Sequence, residues 1–597
     1  MPFAHFKTPI LKRFGIIFGL VAMLFFTSCT ELKRPEPNPY LSETQPPPKQ
    51  EFRWTNGGMP KNLDPARAFA APETDVVRAI YEGLTEVDSK TLEAAPGVAE
   101  KWSISADGKI WTFTLREAAK WSNGKAVTAN DFVRSWNRLL NLGDRTAHRY
   151  LLDNFAVAAG GEQKPSEAED FVDQPPAPET NEDEVEDAET EPSETETKTV
   201  LPTLPPVRLD VSATDGRTLV VKLNRPDKDL AKLVSHPIFR PVFGSGESLL
   251  KPRLDPRVVT NGAFRIVSIN KNGISLERSE SYWNRDNVKL NSVEFVPVAK
   301  ADEALEAYRT GKVDAVTNAD FAPLAQKVFS SYSDFRSNTF AALNFYEINH
   351  RKPPFNDRRV REALAISIER ERLVVGDLEG TVRPAFSFLP FTTNAQTRLV
   401  QDKERARDLL EQAGFAGGRG FPVIRLVVNR NETQLRIARS IAKMWKDNLN
   451  LETEVVARES REIADTRRQM DFDILRRGVV LPVADEAISI SAILANAGEV
   501  GPELAALRAH DNSSIRSASS SNTQNANTNS SVQTPSETNK PVFSHEAALY
   551  ELHAIPLYFP TSFALVKPYV AGFETNTLDA PLLSEVSIDS SWQPKRQ

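Results

Sequence analysis

Residues 96–138 read PGVAEKWSISADGKIWTFTLREAAKWSNGKAVTANDFVRSWNR. Within this stretch, residues 109–115 alternate apolar and polar side chains, as a half-buried strand does. The Asp-Gly pair just before them predicts a hairpin with residues 102–104. Residues 128–140 begin with a capping threonine and place their large apolar side chains on one face. The stretch therefore predicts an antiparallel hairpin followed by an amphipathic helix.

The rest of the chain repeats this mixture of short strands and helices. Strands are predicted at residues 218–223, 264–269, 274–277 and 423–428, and helices at residues 357–375, 403–413 and 433–445. The chain has 597 residues, which is enough for more than one lobe. Because βαβ-like and antiparallel pieces occur together, we expect an α/β, or mixed α+β, body of several lobes.

Two segments interrupt the pattern and are predicted to be disordered insertions. Residues 160–206 are acidic and proline-containing, and residues 512–540 are rich in Ser, Asn and Thr, so neither has enough apolar surface to offset the entropy of ordering. Residues 162–196 alone carry a charge of −14, whereas the whole chain carries −7. The folded remainder is therefore mildly basic. Since it has no concentrated basic stripe, nucleic acid is not an expected partner.

The N-terminus has the order of a secretory signal peptide. Two lysines and an arginine precede an apolar run that is too short for a comfortable membrane-spanning helix. Small residues then stand directly before Cys29, the only cysteine, which favours a signal peptide at residues 1–28 and acylation of Cys29. The alternative is an incidental thiol. Residues 29–50 are rich in proline and predict an extended tether, with the folded body beginning after it.

Longer motifs resemble a known family. TNGAFRIVSINKNGISLERSESYWN begins at Thr260, PFNDRRVREALAISIERERLV at Pro354, and IPLYFPTSFALVKPYVAGFETN at Ile555. Together with residues 96–138, these stretches resemble the oligopeptide/dipeptide-binding family of ABC-transporter extracellular solute-binding proteins, bacterial family 5. The resemblance covers roughly residues 52–587 apart from the two insertions.

The resemblance implies a periplasmic-binding-protein-like fold of type II with an extra lobe, three lobes in all. On that pattern, lobe I would combine residues 51–87, 207–301 and 552–597, lobe II would be residues 88–206, and lobe III would be residues 302–551. Two halves would close over a ligand by hinge motion.

The same resemblance implies a set of ligand contacts. Carried over residue by residue, they fall on Glu73, Tyr150, Arg476, Gly478 and Val480. Such receptors hold the ligand backbone like an added strand. Two alternatives stay open at this point, because Glu73 also suits the first turn of a helix and Tyr150 also suits simple packing.

The sequence departs from the family pattern directly after Gly478. Val479 stands where a tryptophan is usual, and Pro482 where an aspartate would pair with the α-amine of the ligand. Burying an ammonium without a counter-charge costs several kcal/mol. We therefore expect the cleft to reject a free peptide N-terminus unless Asp485, Glu486 or Glu73 supplies the charge. Otherwise the ligand is blocked, neutral or not a peptide.

The function that the resemblance implies is capture of peptides or peptide-like solutes for an ABC importer, without a chemical step. The expected protein is a monomeric, membrane-anchored, extracytoplasmic lipoprotein that works with permease subunits and needs no cofactor. An alternative is a degenerate receptor that acts as a non-peptide receptor, sensor or envelope scaffold. A secreted hydrolase is disfavoured because there is no GxSxG elbow and no cysteine besides Cys29. The histidines form no HExxH motif or close pair, so no metal centre is expected.

Overall fold

The computed structural model describes residues 38–159, 207–391, 398–494 and 544–594. The signal peptide, Cys29 and both predicted insertions lie largely or wholly outside these ranges. No helix in the described part of the chain is long and apolar enough to cross a membrane.

A seven-stranded mixed sheet forms the first lobe. Its strands, in spatial order, are Phe264–Asn270, Gly273–Arg278, Ser292–Phe295, Glu51–Thr55, Ala315–Thr317, Thr561–Val566 and Phe335–Thr339. Glu51–Thr55 runs parallel to both of its neighbours. Its buried Trp54 packs against Phe295 and Phe573 with ring centroids 5.3 and 5.1 Å apart, so the sheet is anchored on an aromatic core.

A four-stranded antiparallel sheet forms the second lobe. Its order is Ala99–Ile104, Ile110–Leu115, Thr218–Lys222 and Val211–Ala213. The predicted hairpin and helix are both present, and Thr128 and Asp131 form a reciprocal capping box at the start of helix Ala129–Leu142. Trp136 of this helix donates its indole N–H to Phe239 O at 2.7 Å. Trp136 is fully buried, and this hydrogen bond satisfies its one polar group there.

A six-stranded mixed sheet forms the third lobe. Its order is Arg383–Pro384, Ala554–Phe559, Ala342–Ile348, Ile474–Val480, Ile424–Asn429 and Thr453–Arg458. Helices Arg358–Ile366 and Glu432–Leu449 bury their apolar faces against it. Trp445 Nε1 donates to Leu364 O at 3.1 Å and joins these two helices.

The remaining elements are short. The other helices are Glu73–Ile80, Leu230–Leu233, Ala301–Arg309, Pro323–Phe329, Arg370–Gly376, Lys403–Gln412, Ser460–Arg468, Glu486–Leu494 and His545–Glu551. Two-stranded pairs are Thr85–Val87 with Ala94–Pro96, Val157–Ala159 with Val207–Leu209, and Val570–Ala571 with Ser587–Ile588. The mixed α/β fold expected from the sequence is confirmed.

Strand pairing moves the lobe boundaries predicted from the sequence. Thr218–Lys222 pairs with Ile110–Leu115, so the chain returns to the first lobe after this strand and not at residue 207. Phe335–Thr339 pairs with Thr561–Val566 in the first sheet, so the third lobe begins near residue 340 and not at 302. Ala554–Phe559 belongs to the third sheet. The prediction missed these positions because hydrogen bonding between distant strands leaves no local mark in the sequence.

Part of the predicted tether also differs. Residues 38–50 lie against the first lobe, where the amides of Leu41 and Ser42 donate to the Asp334 carboxylate at 2.8 and 3.3 Å. Lys567 Nζ donates to Ser42 Oγ at 2.7 Å. These buried polar contacts fix the segment, which proline content alone did not reveal. Ser333 N also donates to Pro39 O at 2.7 Å, so the folded body already includes residue 39.

The single helix predicted at 357–375 is two helices, Arg358–Ile366 and Arg370–Gly376. The Arg370 side chain turns back and donates to Ala365 O and Ile368 O at 3.0 and 3.4 Å. Those carbonyls lie at the end of the first helix, where backbone acceptors lack intrahelical partners. A buried guanidinium therefore caps the break, although the apolar period runs through it.

Candidate ligand-binding cleft

A cavity of about 370 Å³ lies where the three lobes meet. Its walls come from helix and loop residues of the first lobe, including His236, from the end of strand Ile474–Val480 in the third lobe, and from His148 of the second lobe. The lining residues are Phe69, Ala70, Ala71, Thr74, Arg78, His148, His236, Asn318, Ala319, Asp320, Gln326, Phe340, Val480, Leu481, Pro482, Thr561, Ser562, Phe563, Leu578 and Asp579. The size suits a small solute.

Strand Ile474–Val480 brings the predicted segment to the cavity wall. Gly478 lies opposite Asn344, and Val480 lies opposite Ala342. On its other side, the strand pairs with Ile424–Asn429 only at Ile474 and Leu475 in the described register. Val480 therefore lines the cavity on a strand end that has one edge unpaired within the described part of the chain. Gly478 is exposed but does not line the cavity.

Arg476 is held beside the cleft by two amides. Its guanidinium donates to Asn344 Oδ1 and to Asn429 Oδ1, the latter at 3.2 Å. A Cβ at Gly478 would lie 3.3 Å from Arg476 Nη2, which is a tight contact, so the glycine leaves room for this side chain. Both residues shape the strand end, and a direct ligand contact from either stays a prediction.

Glu73 begins helix Glu73–Ile80, and its Oε1 accepts the backbone amide of Lys61 at 2.9 Å. An acid in the first turn suits the helix dipole. Its neighbours Ala71 and Thr74 line the cavity, but Glu73 itself does not. A role in ligand binding therefore stays a prediction for this residue.

Tyr150 does not line the cavity and lies next to His148, which does. Its hydroxyl is 3.4 Å from His148 Nδ1, and its ring packs on the core of the first two lobes. His148 forms the wall instead: its ring stacks on Phe69 with centroids 4.4 Å apart, and its Nε2 is 3.1 Å from Phe69 O. The structure thus places the histidine, and not the predicted tyrosine, at the surface of the cavity.

The two histidines of the cleft are buried and in contact. The rings of His148 and His236 lie edge to face at 5.0 Å. Burial lowers the pKa of His148 and holds the pKa of His236 well below its usual value. Both are therefore neutral near pH 7. Neither histidine was predicted to line the cleft, because each is isolated in the sequence and only the contact between distant loops brings the two together.

Charged groups gather at the first-lobe side. Arg78 lies 3.7 Å from Asp75, whose other oxygen accepts a hydrogen bond from Asn56 at 3.0 Å. Burial raises the pKa of Asp75 to about 6, against the opposing effect of Arg78. Burial, assisted by the charge of Asp75, raises the pKa of Asp579 to about 7. No sequence pattern singles out Asp579, which lies in an irregular loop.

The acids expected to replace the missing aspartate have other partners. Asp485 Oδ1 accepts a hydrogen bond from the amide of Ile488 at 2.8 Å. Burial, together with the charge of nearby acids, raises the pKa of Asp485. Glu486 Oε1 accepts the amide of His545 at 2.9 Å. Neither lines the cavity, whereas Pro482 does. Both acids cap or join helices, so they do not supply the charge at the position of Pro482.

The described residues contain no group of three or more His, Cys, Asp or Glu side chains arranged to hold a metal ion. The cavity between lobes has a mixed apolar and polar lining and an unpaired strand end, which is the architecture of a protein that binds a solute in a cleft.

Comparison with known proteins agrees with this class. The model of the bacterial extracellular solute-binding proteins, family 5, matches residues 93–499. The chain belongs to this family.

Individual relatives extend the match beyond those residues. The periplasmic oligopeptide-binding protein OppA of Salmonella typhimurium is 31% identical over 452 residues, 72% of this chain and 74% of its own. OppA of Escherichia coli K12 is 29% identical over 543 residues, 88% and 90% of the two chains. The structure of the murein tripeptide-binding protein MppA in an unliganded open form has a TM-score of 0.64 at 25% identity and covers 92% of this chain and 99% of its own. The fold expected from the resemblance is confirmed.

Proposed function

We propose that this protein is a lipid-anchored extracytoplasmic receptor that captures peptides or peptide-like solutes for an ABC importer by hinge closure. The observation that carries the proposal is the strand end at Gly478–Val480, which has an unpaired edge beside the cavity. An extended peptide can add to such an edge through main-chain hydrogen bonds and leave its side chains in pockets. The relatives named for oligopeptide binding support it.

Hinge closure is supported by the way the chain crosses between lobes. Residues 340–341 and residue 560 link the first and third sheets side by side, and Phe340 N donates to Pro560 O at 2.9 Å. Phe340 and Thr561 both line the cavity. Rotation about two adjacent strands would therefore open and close the cleft from its back wall.

The anchor would be Cys29, which lies outside the described residues. Because Pro39 and Leu41 already contact the first lobe, only a short segment would separate the lipid from the body. Labelling cells with a fatty-acid analogue tests the anchor: the wild type should carry label and Cys29→Ala should not. Equal labelling of both would refute acylation at Cys29.

The receptor role is tested by denaturing the purified full-length chain and identifying released solutes by mass spectrometry. Peptides recovered in a near-stoichiometric amount support the proposal. A chain that is empty, and whose melting temperature no peptide mixture raises, contradicts it.

A second candidate is a degenerate receptor for a non-peptide solute, or a sensor or scaffold. Pro482 favours it, because proline has neither a carboxylate nor a backbone N–H to offer a peptide. Recovery of a non-peptide solute, or of a stable partner other than a permease, would support this candidate.

A further inference from the structure

Asp579 is an acid in the cleft whose charge is only partly compensated, by Arg78. Its carboxylate lines the cavity, yet among the described residues it accepts no hydrogen bond and forms no ion pair. The nearest cation is Arg78, which already faces Asp75 at 3.7 Å. A carboxylate withdrawn from water in this way is unfavourable unless a positive group joins it.

The loop around Asp579 is held in place by the side chain of Asn576. Asn576 Oδ1 accepts the amides of Leu578 and Ala580, each at 3.1 Å. Asn576 Nδ2 donates to Ser89 O and Ala580 O, also at 3.1 Å. Asp579 itself has a φ of 52° in the left-handed region, which non-glycine residues rarely adopt without support from their surroundings. The backbone of the loop is thus held by hydrogen bonds on both sides of Asp579.

The opposite wall lacks an acid. Pro482 and Leu578 both border the main cavity and a smaller one beside it, so the proline and the Asp579 loop border the same space. Asp485 and Glu486, the acids nearest to Pro482 in sequence, are bound to backbone amides. A cation that enters between these walls therefore meets its counter-charge on the first lobe.

We infer that the Asp579 carboxylate receives the N-terminal ammonium of the bound solute, so that this cleft selects peptides or peptide-like solutes with a free amine at that end. The inference rests on the proposed peptide capture and replaces the expectation that free N-termini are rejected.

Asp320 is the competing acid of the cavity. It is exposed, so water already solvates its charge. A solvent-exposed ion pair gains little, whereas a pair formed with a desolvated carboxylate is strengthened by the low local dielectric. Asp320→Asn is therefore a matched control: it removes the same charge from the same cavity at a solvated position.

The experiment uses the full-length chain and two probes, a random tri- to pentapeptide pool and the same pool after complete N-acetylation. Affinities are measured by competition for wild type, Asp579→Asn and Asp320→Asn. Asn keeps the shape of Asp and tolerates the left-handed conformation, so Asp579→Asn should fold. Loss of one charge-assisted hydrogen bond predicts a preference for free amines of about 10- to 100-fold in wild type and in Asp320→Asn, and none in Asp579→Asn.

The outcomes separate this inference from the proposed function. Equal binding of the two pools by wild type overturns the amine contact while leaving peptide capture intact, and this result does not depend on any variant folding. A preference that survives in Asp579→Asn, or disappears in Asp320→Asn, also overturns it. If wild type binds neither pool, peptide capture itself fails and the inference fails with it.

Discussion

Glu82 is a buried acid that should contribute to the pH dependence of the free energy of unfolding. Its carboxylate accepts hydrogen bonds from Tyr282 Oη at 2.6 Å and Trp283 Nε1 at 2.8 Å. Burial, with the nearby charge of Glu86, raises the pKa of Glu82 to about 8. A group whose pKa is raised on folding contributes stability below its unfolded pKa, and this stability is lost as the pH rises through the folded value.

We therefore predict that the free energy of unfolding contributed by Glu82 falls between about pH 4.5 and pH 8. Glu82→Gln should flatten this part of the profile, because the amide stays neutral and keeps one acceptor for Tyr282. Denaturant titrations of wild type and variant across that range give the comparison. Parallel profiles for the two proteins would rule out a titration of Glu82 in the folded state.

Asp579 should make the affinity for peptides depend on pH. Since burial raises its pKa to about 7, affinity for peptides with free amines should increase from pH 5.5 to pH 7.5, as the carboxylate loses its proton. The peptide ammonium stays largely protonated over this range. Binding curves at the two pH values measure the change, and Asp579→Asn should show a clearly smaller change, namely the part that Asp75 contributes. A wild-type affinity that is independent of pH, or higher at pH 5.5, would contradict the assignment.

The charged and titratable groups around Asp579 leave this prediction intact. Asp75 and Arg78 lie on helix Glu73–Ile80, and Asp320 lies on the rim of the cavity. His148 of the second lobe and His236 of the first lobe also face the cavity, but burial lowers the pKa of both, so they stay neutral. Asp75, with a pKa raised to about 6, also gains charge on going to pH 7.5, which favours a cation in the same direction.

At the scale of elements, the first lobe depends on a close approach between a turn and a helix end. Gly262 N donates to Ile80 O at 2.8 Å, and Asn261 Oδ1 accepts the amide of Glu82 at 3.1 Å. A Cβ at Gly262 would lie 2.5 Å from the carbonyl carbon of Ile80. This contact is with backbone, which cannot move aside as the end of a side chain can.

Gly262→Ala should therefore lower the free energy of unfolding by about 1–3 kcal/mol. Gly216→Ala is the matched control, because nothing lies within 4 Å of a Cβ at that exposed turn. Its cost should stay within about 0.5 kcal/mol. Thermal or denaturant unfolding distinguishes the two. Equal destabilisation by both substitutions would show that the close approach at Ile80 does not matter.

Elements with a local signal were predictable from sequence. The hairpin that includes Ile110–Leu115 and the helix Ala129–Leu142 follow from alternation, a turn dipeptide and a cap. The break before Arg370 was not predictable, because the arginine caps carbonyls that only the folded helix exposes. Val480 lines the cavity, and its contact with a ligand stays a prediction. Asp579 and His148 also line the cavity but were not predicted, because only contacts between distant parts of the chain bring them there.

At the scale of the whole molecule, the proposed closure predicts a change of shape. The two adjacent crossovers at residues 340–341 and 560 allow the third lobe to rotate toward the first. Addition of the peptide pool should decrease the radius of gyration of the full-length chain in small-angle X-ray scattering. The acetylated pool, if Asp579 acts as inferred, should do so only at higher concentration. An unchanged radius at saturating peptide would argue against hinge closure.

Peptide capture as proposed requires that a peptide lie against the strand end at Val480. Photo-cross-linking tests it directly, with a benzophenone amino acid placed at Val480 and, as a control, at the exposed Val267 of the first sheet. After illumination with the peptide pool, mass spectrometry should find peptide adducts at position 480 and none above background at 267. Equal adducts at the two positions, or none at 480 while the variant still binds peptide, would place the ligand elsewhere and contradict the account.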